Sequence, residues 1–233
     1  MTARGRWLLV GIGAVVLTTA AATAPTMLRR VDAFNVQRVE VHGTHYMGAY
    51  DAVVQSGITR RSSVFEDFAP WRAKLIKHPL VLDANIERRL PNTLQVTITE
   101  TTPVALVRNR DLRPVDARMK ELPIDPANAD LDLPLVTLAS KPVVEVLAML
   151  QTRDARLFSW ISEAAQATDH GVRLELRNPA GAEIMVPNDS RAIRVNEMEV
   201  AIADLAARGE LPRIKRIDAR FHDQIVVSLK NGN

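Results

Sequence analysis

Apolar and polar positions alternate from Arg38, with Val39 and Val41 on one face and Arg38, Glu40 and His42 on the other, and Gly43 follows as a turn residue. That pattern predicts a half-buried strand. A short helix is expected over Tyr50 to Ser56 around Val53 and Val54, with Gly57 placed to close it in the left-handed conformation. Phe68, Trp71, Leu75 and Ile76 recur at i, i+3, i+7 and i+8, which predicts a second helix with Asp67 as candidate N-cap and Pro70 in its first turn. Leu82, Ala84 and Ile86 then alternate with Asp83, Asn85 and Glu87, Pro91-Asn92 makes a turn, and Leu94, Val96 and Ile98 alternate in their turn. The predicted order is strand, helix, helix, strand, strand.

Past Val107 the chain passes through a Pro- and Asp-rich connection, Leu122 to Pro134. A helical stretch is expected from Val143 to Ala167, interrupted near Thr152-Arg153-Asp154, so that two helices or one bent helix would serve. His170-Gly171 ends it. Val172, Leu174 and Leu176 alternate as a strand, Asn178 to Gly181 forms a turn, and Ala182 to Val186 returns as the partner strand. Ser190 is the expected cap of a helix reaching Arg208, whose Ile193, Met198, Ile202 and Leu205 form a core stripe. Ile217 to Phe221 and Ile225 to Leu229 are the last two expected strands. A strand added last tends to lie at a sheet edge, where its unpaired N–H and C=O groups can bond an incoming segment. The alternative is that Ile225, Val227 and Leu229 face the core while the edge is simply solvated.

The N-terminus has another character. Trp7 to Leu28 carries no charged residue, and 18 to 22 helical residues at about 1.5 Å each reach roughly 27 to 33 Å, the thickness of a bilayer's hydrocarbon core. Residues 1–6 would be a cytoplasmic tail and residues 7–28 a transmembrane helix. A cleavable secretory signal is the alternative, since Ala22-Thr23-Ala24 has the form of a cleavage site, although Pro25 is awkward directly after it. A six-residue lead leaves nothing to fold on the N-terminal side, so the long C-terminal part is expected outside the cytoplasm.

Composition narrows the function. In 233 residues, 30 Lys and Arg against 27 Asp and Glu leave a net charge of +3, and these charges are interspersed, as in Asn85-Ile86-Glu87-Arg88-Arg89. That is no basic face for nucleic acid. The absence of cysteine excludes disulfides, Cys metal sites and thiol catalysis. His42, His45, His78, His170 and His222 are scattered, and no nucleophile elbow, H-E-x-x-H or phosphate loop occurs, so no catalytic residue, cofactor, metal or small-molecule substrate is expected.

The β-α-α-β-β order directly after a single span resembles a polypeptide-transport-associated (POTRA) module. Val36 to Gly43, Ala84 to Leu94 (ANIERRLPNTL) and Glu100 to Ala105 (ETTPVA) resemble the signature of the bacterial cell division family FtsQ, or DivIB. Asp130 to Leu135 (DLDLPL) is similar to that family's leucine-proline segment, and Ile217-Asp218-Ala219-Arg220-Phe221 to its D-x-R-aromatic strand. About four-fifths of the chain is covered. One departure is that Asp116 is followed by Ala117, Arg118 and Met119, where the family commonly has a glycine turn.

The resemblance implies an α+β fold: the membrane helix, a POTRA domain over 34–105, and a C-terminal domain over 106–230 with a mainly antiparallel sheet ending in an edge strand. It implies a non-catalytic scaffold of the inner membrane at the division septum, helping control septal peptidoglycan synthesis. The partner would be FtsB in complex with FtsL, recruited by strand addition at Arg220, Phe221, Ile225, Val226, Val227, Ser228 and Leu229. Contact with an FtsW/FtsI-like synthase pair stays open. The competing expectation is a POTRA-bearing component of protein translocation or outer-membrane assembly, although no alternating barrel segments follow Ala105.

Overall fold

The computed structural model describes residues 27–230 apart from residues 30, 109, 139 and 169. The expected tail and all of the expected span but Met27 and Leu28 lie outside the described residues. Among the described residues no helix is long and apolar enough to cross a membrane. The chain forms two compact units, the first ending at Glu100 and the second beginning at Thr101.

The first unit runs β1 (Arg38–His42), α1 (Ala49–Ser56), α2 (Ala69–Ile76), β2 (Val81–Arg89) and β3 (Thr93–Glu100), the order expected from the sequence. Its sheet is β1-β3-β2, with β3 parallel to β1 and antiparallel to β2. Leu94, Val96 and Ile98 of the central strand are all buried, as their alternation requires, and Trp71 and Leu75 of α2 are buried with them. On α1 the buried residues are Ala52 and Ser56, one helical turn apart on the same face, whereas Val54 lies off that face and is 61% exposed. Gly43 turns at φ +78, and a Cβ there would lie 2.2 Å from the Ile98 carbonyl oxygen, so only glycine fits. The β2 alternation breaks at Leu82, which is 55% exposed while Val81 is buried. The reason is a bulge: Val81 pairs with Glu100 and Asp83 with Thr99, leaving Leu82 as the extra residue.

The second unit contains β4 (Ala105–Arg108), β5 (Leu112–Val115), β6 (Leu135–Val136), α3 (Lys141–Arg153), α4 (Ala155–Trp160), β7 (Ile161–Ala167), β8 (Gly171–Arg177), β9 (Ala180–Val186), α5 (Val195–Ala207), β10 (Ile214–Asp218) and β11 (Val226–Leu229). These strands form one eight-stranded sheet in the order β11-β10-β9-β8-β7-β6-β4-β5. Four of its pairs are antiparallel and three parallel, so the sheet is more mixed than expected. Val143, Val144, Val146, Leu147 and Leu150 of α3 join Leu174, Ile184, Met198 and Ile217 in one core.

Three sequence expectations change here. The stretch Val143 to Ala167 is not helical throughout: Ile161–Ala167 is the strand β7. A bulge between Ile161 and Glu163 leaves Ile161 and Ala164 both buried, an i, i+3 spacing that imitates a helix period. Ser190 does not cap α5. The Asp189 side chain accepts the Arg191 N–H at the start of a short 3-10 turn, and α5 begins at Val195. Finally, the strand expected over Ile217 to Phe221 ends at Asp218, so Ala219 to Phe221 leave the sheet.

The departure at Asp116 has a structural answer. The Asp116 Oδ1 accepts the N–H groups of Arg118 and Lys120 at 2.9 and 2.8 Å, and Met119 takes the left-handed conformation at φ +63. A carboxylate staples the turn that glycine would otherwise ease.

Candidate partner-binding edge

Strand β11 is one edge of the eight-stranded sheet and pairs antiparallel with β10. Opposed residues are Asp218 with Val226, Ile217 with Val227 and Arg216 with Ser228, and the Lys230 N–H donates to the Arg213 carbonyl at 2.7 Å. In an antiparallel ladder a residue's N–H and C=O point to the same side, and successive residues alternate. Counting back from Lys230, the main chains of Ser228 and Val226 face β10, and those of Leu229 and Val227 face away from it. No described strand occupies that outer side.

The side chains obey a different axis. Ile225, Val227 and Leu229 pack partly buried against the core, while Val226 is 40% exposed and Ser228 is exposed. Side chains stand perpendicular to the sheet and ladder bonds lie within it, so core-facing side chains and an open backbone edge coexist on β11. The two alternatives left by the sequence are therefore not exclusive.

Arg220 and Phe221 sit just beyond β10. Asp218 is buried and holds Arg220 by a bidentate pair, Nε to Oδ1 at 2.9 Å and Nη2 to Oδ2 at 2.7 Å. A Cβ on Gly171 would come within 2.8 Å of both the Arg220 Cδ and the Val186 carbonyl oxygen, so a bare backbone at Gly171 makes room for this side chain. Arg220 thus braces the exit from β10. Phe221 is 45% exposed, and its carbonyl accepts from Arg194 Nη2 at 2.6 Å, as does the Gln224 carbonyl at 3.0 Å. Arg194 also pairs with Glu197. The residue shaping the loop before β11 is therefore Arg194, which sequence reasoning missed; its partners lie 27 and 30 positions away, and no local pattern announces them.

Two features flank the edge. A groove of about 560 Å³ runs beside the start of β11, with Val200, Ala201 and Ile225 as apolar lining and Glu197 and Asp223 at its margin. On the exposed face, Arg216 of β10 stands opposite Ser228 of β11 and donates to Glu183 of β9 at 2.7 Å, and Arg173 of β8 reaches the same carboxylate at 3.3 Å. Burial pushes the Glu183 carboxyl up, but the bonds and charge of Arg216 and then Arg173 outweigh it and hold the carboxyl below its ordinary range.

No group of three or more metal-ligating side chains occurs among the described residues. His45 packs edge-on against Tyr46 with ring centres 4.5 Å apart, and His42 lies on an exposed position of β1.

Comparison with known proteins places both units in a family. Residues 34–101 match the family described as POTRA domain, FtsQ-type, and residues 105–220 the family described as Cell division protein FtsQ/DivIB, C-terminal. The chain belongs to the FtsQ/DivIB family. It is similar to Cell division protein FtsQ of Syntrophotalea carbinolica, 24% identical over 98% of this chain and 85% of that one. It also resembles Cell division protein DivIB of Geobacillus kaustophilus, 34% identical over 32% of this chain and 29% of that one. Cell division protein FtsQ of Novosphingobium aromaticivorans is 34% identical over 44% of this chain and 31% of its own length. Membership supports a role in the bacterial divisome, consistent with a septal location, and does not favour the translocation alternative. The family match ends at Arg220, so β11 itself lies beyond the matched residues.

Proposed function

We propose that this FtsQ/DivIB chain is a non-catalytic bitopic scaffold that recruits an FtsB/FtsL-like partner by strand addition to β11 and helps control septal peptidoglycan synthesis. Residues 1–6 are the cytoplasmic tail, 7–28 the inner-membrane span, and the two units that follow are extracytoplasmic domains. The observation that carries the proposal is the outward main chain of Val227 and Leu229, held in extended form by β10 and open on its other side among the described strands. An incoming strand that bonds there adds a ninth strand without repacking the core, because the side chains of Ile225, Val227 and Leu229 already face inward. Arg220 and Phe221 act by setting the loop that leads into β11.

The test is amide exchange on the full chain in membrane discs, with and without partner chains co-purified from a membrane extract. Slowing should be confined to the outward amides of Val227 and Leu229, since Val226 and Ser228 are already bonded within the sheet. Unchanged rates at the outward pair would remove β11 as the docking site. Alkaline phosphatase fused after Leu229 should be active in cells, and an inactive fusion on an inserted chain would reverse the topology.

A further inference from the structure

We infer that the first unit carries an arginine collar, at the end where the chain arrives from residues 7–28, that docks on the anionic phospholipid headgroups of the membrane holding that segment. This rests on the proposal above that residues 7–28 span the bilayer. The arrival point is defined by backbone bonds. Val36 N–H donates to the Ser62 carbonyl at 2.8 Å, Val64 N–H to the Phe34 carbonyl at 2.9 Å, and Gln37 N–H to the Asn92 carbonyl at 2.9 Å. Arg29 Nε bonds the Phe65 carbonyl at 2.8 Å, which ties the last residues of the uncharged run to the same place. Three segments therefore converge there: the incoming chain, the loop after α1, and the β2–β3 hairpin.

Each of those segments presents arginine. Arg60 and Arg61 are exposed in the loop. Arg38 and Arg89 both lie opposite Thr93 in the sheet and so share its open face at that end. Arg88 turns to the other face, where its guanidinium lies 5.5 Å from the Phe65 ring centre and 5.0 Å from that of Phe68. Phe34 packs edge-on against Phe65, and Phe68 stacks on Trp71, so the collar has a rigid base. Leu90, 62% exposed at the hairpin tip, adds an apolar contact suited to the headgroup boundary.

Four acids share this end and keep their charge, but Arg29, Arg38, Arg60, Arg61, Arg88 and Arg89 outnumber them. The Asp32 carboxylate accepts from Asn35, that of Glu66 from the Ser63 N–H, that of Asp67 from the Ala69 N–H, and Glu87 stands 3.8 Å from Arg89. The opposite end of the sheet is nearer balance: Glu100 takes the Tyr46 and Met47 N–H groups, Asp83 is paired with Arg72, and Lys77 is exposed in the turn before β2. Basic charge thus gathers at the end tied to the uncharged run. Guanidinium forks suit phosphate oxygens, and a basic residue near an anionic bilayer surface strengthens association by about fivefold.

The experiment places the full chain in discs of phosphatidylglycerol mixed with phosphatidylcholine, or of phosphatidylcholine alone, and compares amide exchange over residues 59–65 and 90–93. Exchange should be at least about fivefold slower in the anionic discs, and the difference should vanish in high salt. It should also vanish in the variant Arg60→Gln, Arg61→Gln, Arg89→Gln. Arg88 is spared because it packs on the aromatic rings. Unchanged protection of Leu94 to Ile98 verifies that the variant is folded. Equal rates in the two kinds of disc overturn the collar, including the case where an acidic protein is its true ligand, and so does slowing that survives the variant. A chain that leaves the discs altogether refutes the anchor and the collar together, whereas a retained chain with equal rates refutes the collar alone.

Discussion

Proline at position 227 separates strand addition from ordinary stability. The Val227 N–H points away from β10, so Val227→Pro deletes no ladder bond inside the protein, and proline is tolerated at such positions of edge strands. Its stability should stay within about 1 kcal/mol of the parent. An added strand would lose one hydrogen bond, a net of about 0.5–1.5 kcal/mol, and the ring would hold it beyond the usual spacing of about 4.8 Å, weakening neighbouring bonds too. At about 1.4 kcal/mol per decade, partner affinity should fall about tenfold or more. Ser228→Pro is the counterpart. Its N–H faces β10 opposite Arg216, so the change removes an internal bond and leaves a carbonyl unmatched, at about 1–3 kcal/mol of stability. The assay combines thermal unfolding of both variants with titration of an FtsB/FtsL-like pair onto the full chain in discs. A folded Val227→Pro protein that binds as tightly as the parent would refute the argument.

Three further outcomes are expected. Arg194→Ala should release the loop carbonyls of Phe221 and Gln224, speeding exchange across residues 221–225 while the β8 and β9 amides stay protected, at a cost of about 2 kcal/mol or less locally. Because Arg216 and Arg173 hold Glu183 below its ordinary 4.5, its stabilisation is complete above that value and is lost as pH falls through the lower folded value; thermal unfolding of Glu183→Gln against pH should lack that acid-side loss. Asp116→Ala removes the buried carboxylate that accepts the N–H groups of Arg118 and Lys120 in an otherwise exposed turn, and the loss of two bonds at about 0.5–1.5 kcal/mol each should destabilise the second unit by about 1–3 kcal/mol in denaturant unfolding, with Asp116→Asn recovering part.

Legibility followed how local the deciding interaction was. Leu94, Val96 and Ile98 announced β3 because a strand's period of two shows directly in sequence, and Gly57 announced the end of α1 because its left-handed turn at φ +75 is a local backbone property. Leu82 and Ile161 misled because a bulge shifts the period by one residue, and a bulge is set by the partner strand. Ser190 misled because a 3-10 turn, capped by Asp189, intervenes before α5, and where the chain turns is not set by the capping residue's type.

The candidate edge divides in the same way. The sequence by itself determined that the chain ends in a short apolar alternation, Ile225 to Leu229, and that Asp218 and Arg220 precede it, because residue type and spacing are local facts. Only the tertiary structure decided that β11 pairs, among the described strands, with β10 alone, that Val227 and Leu229 rather than Val226 and Ser228 turn their main chains outward, and that Arg194 holds the loop before them. Those outcomes depend on the register between strands and on a side chain reaching across about 30 residues, and neither leaves a periodic trace in the chain.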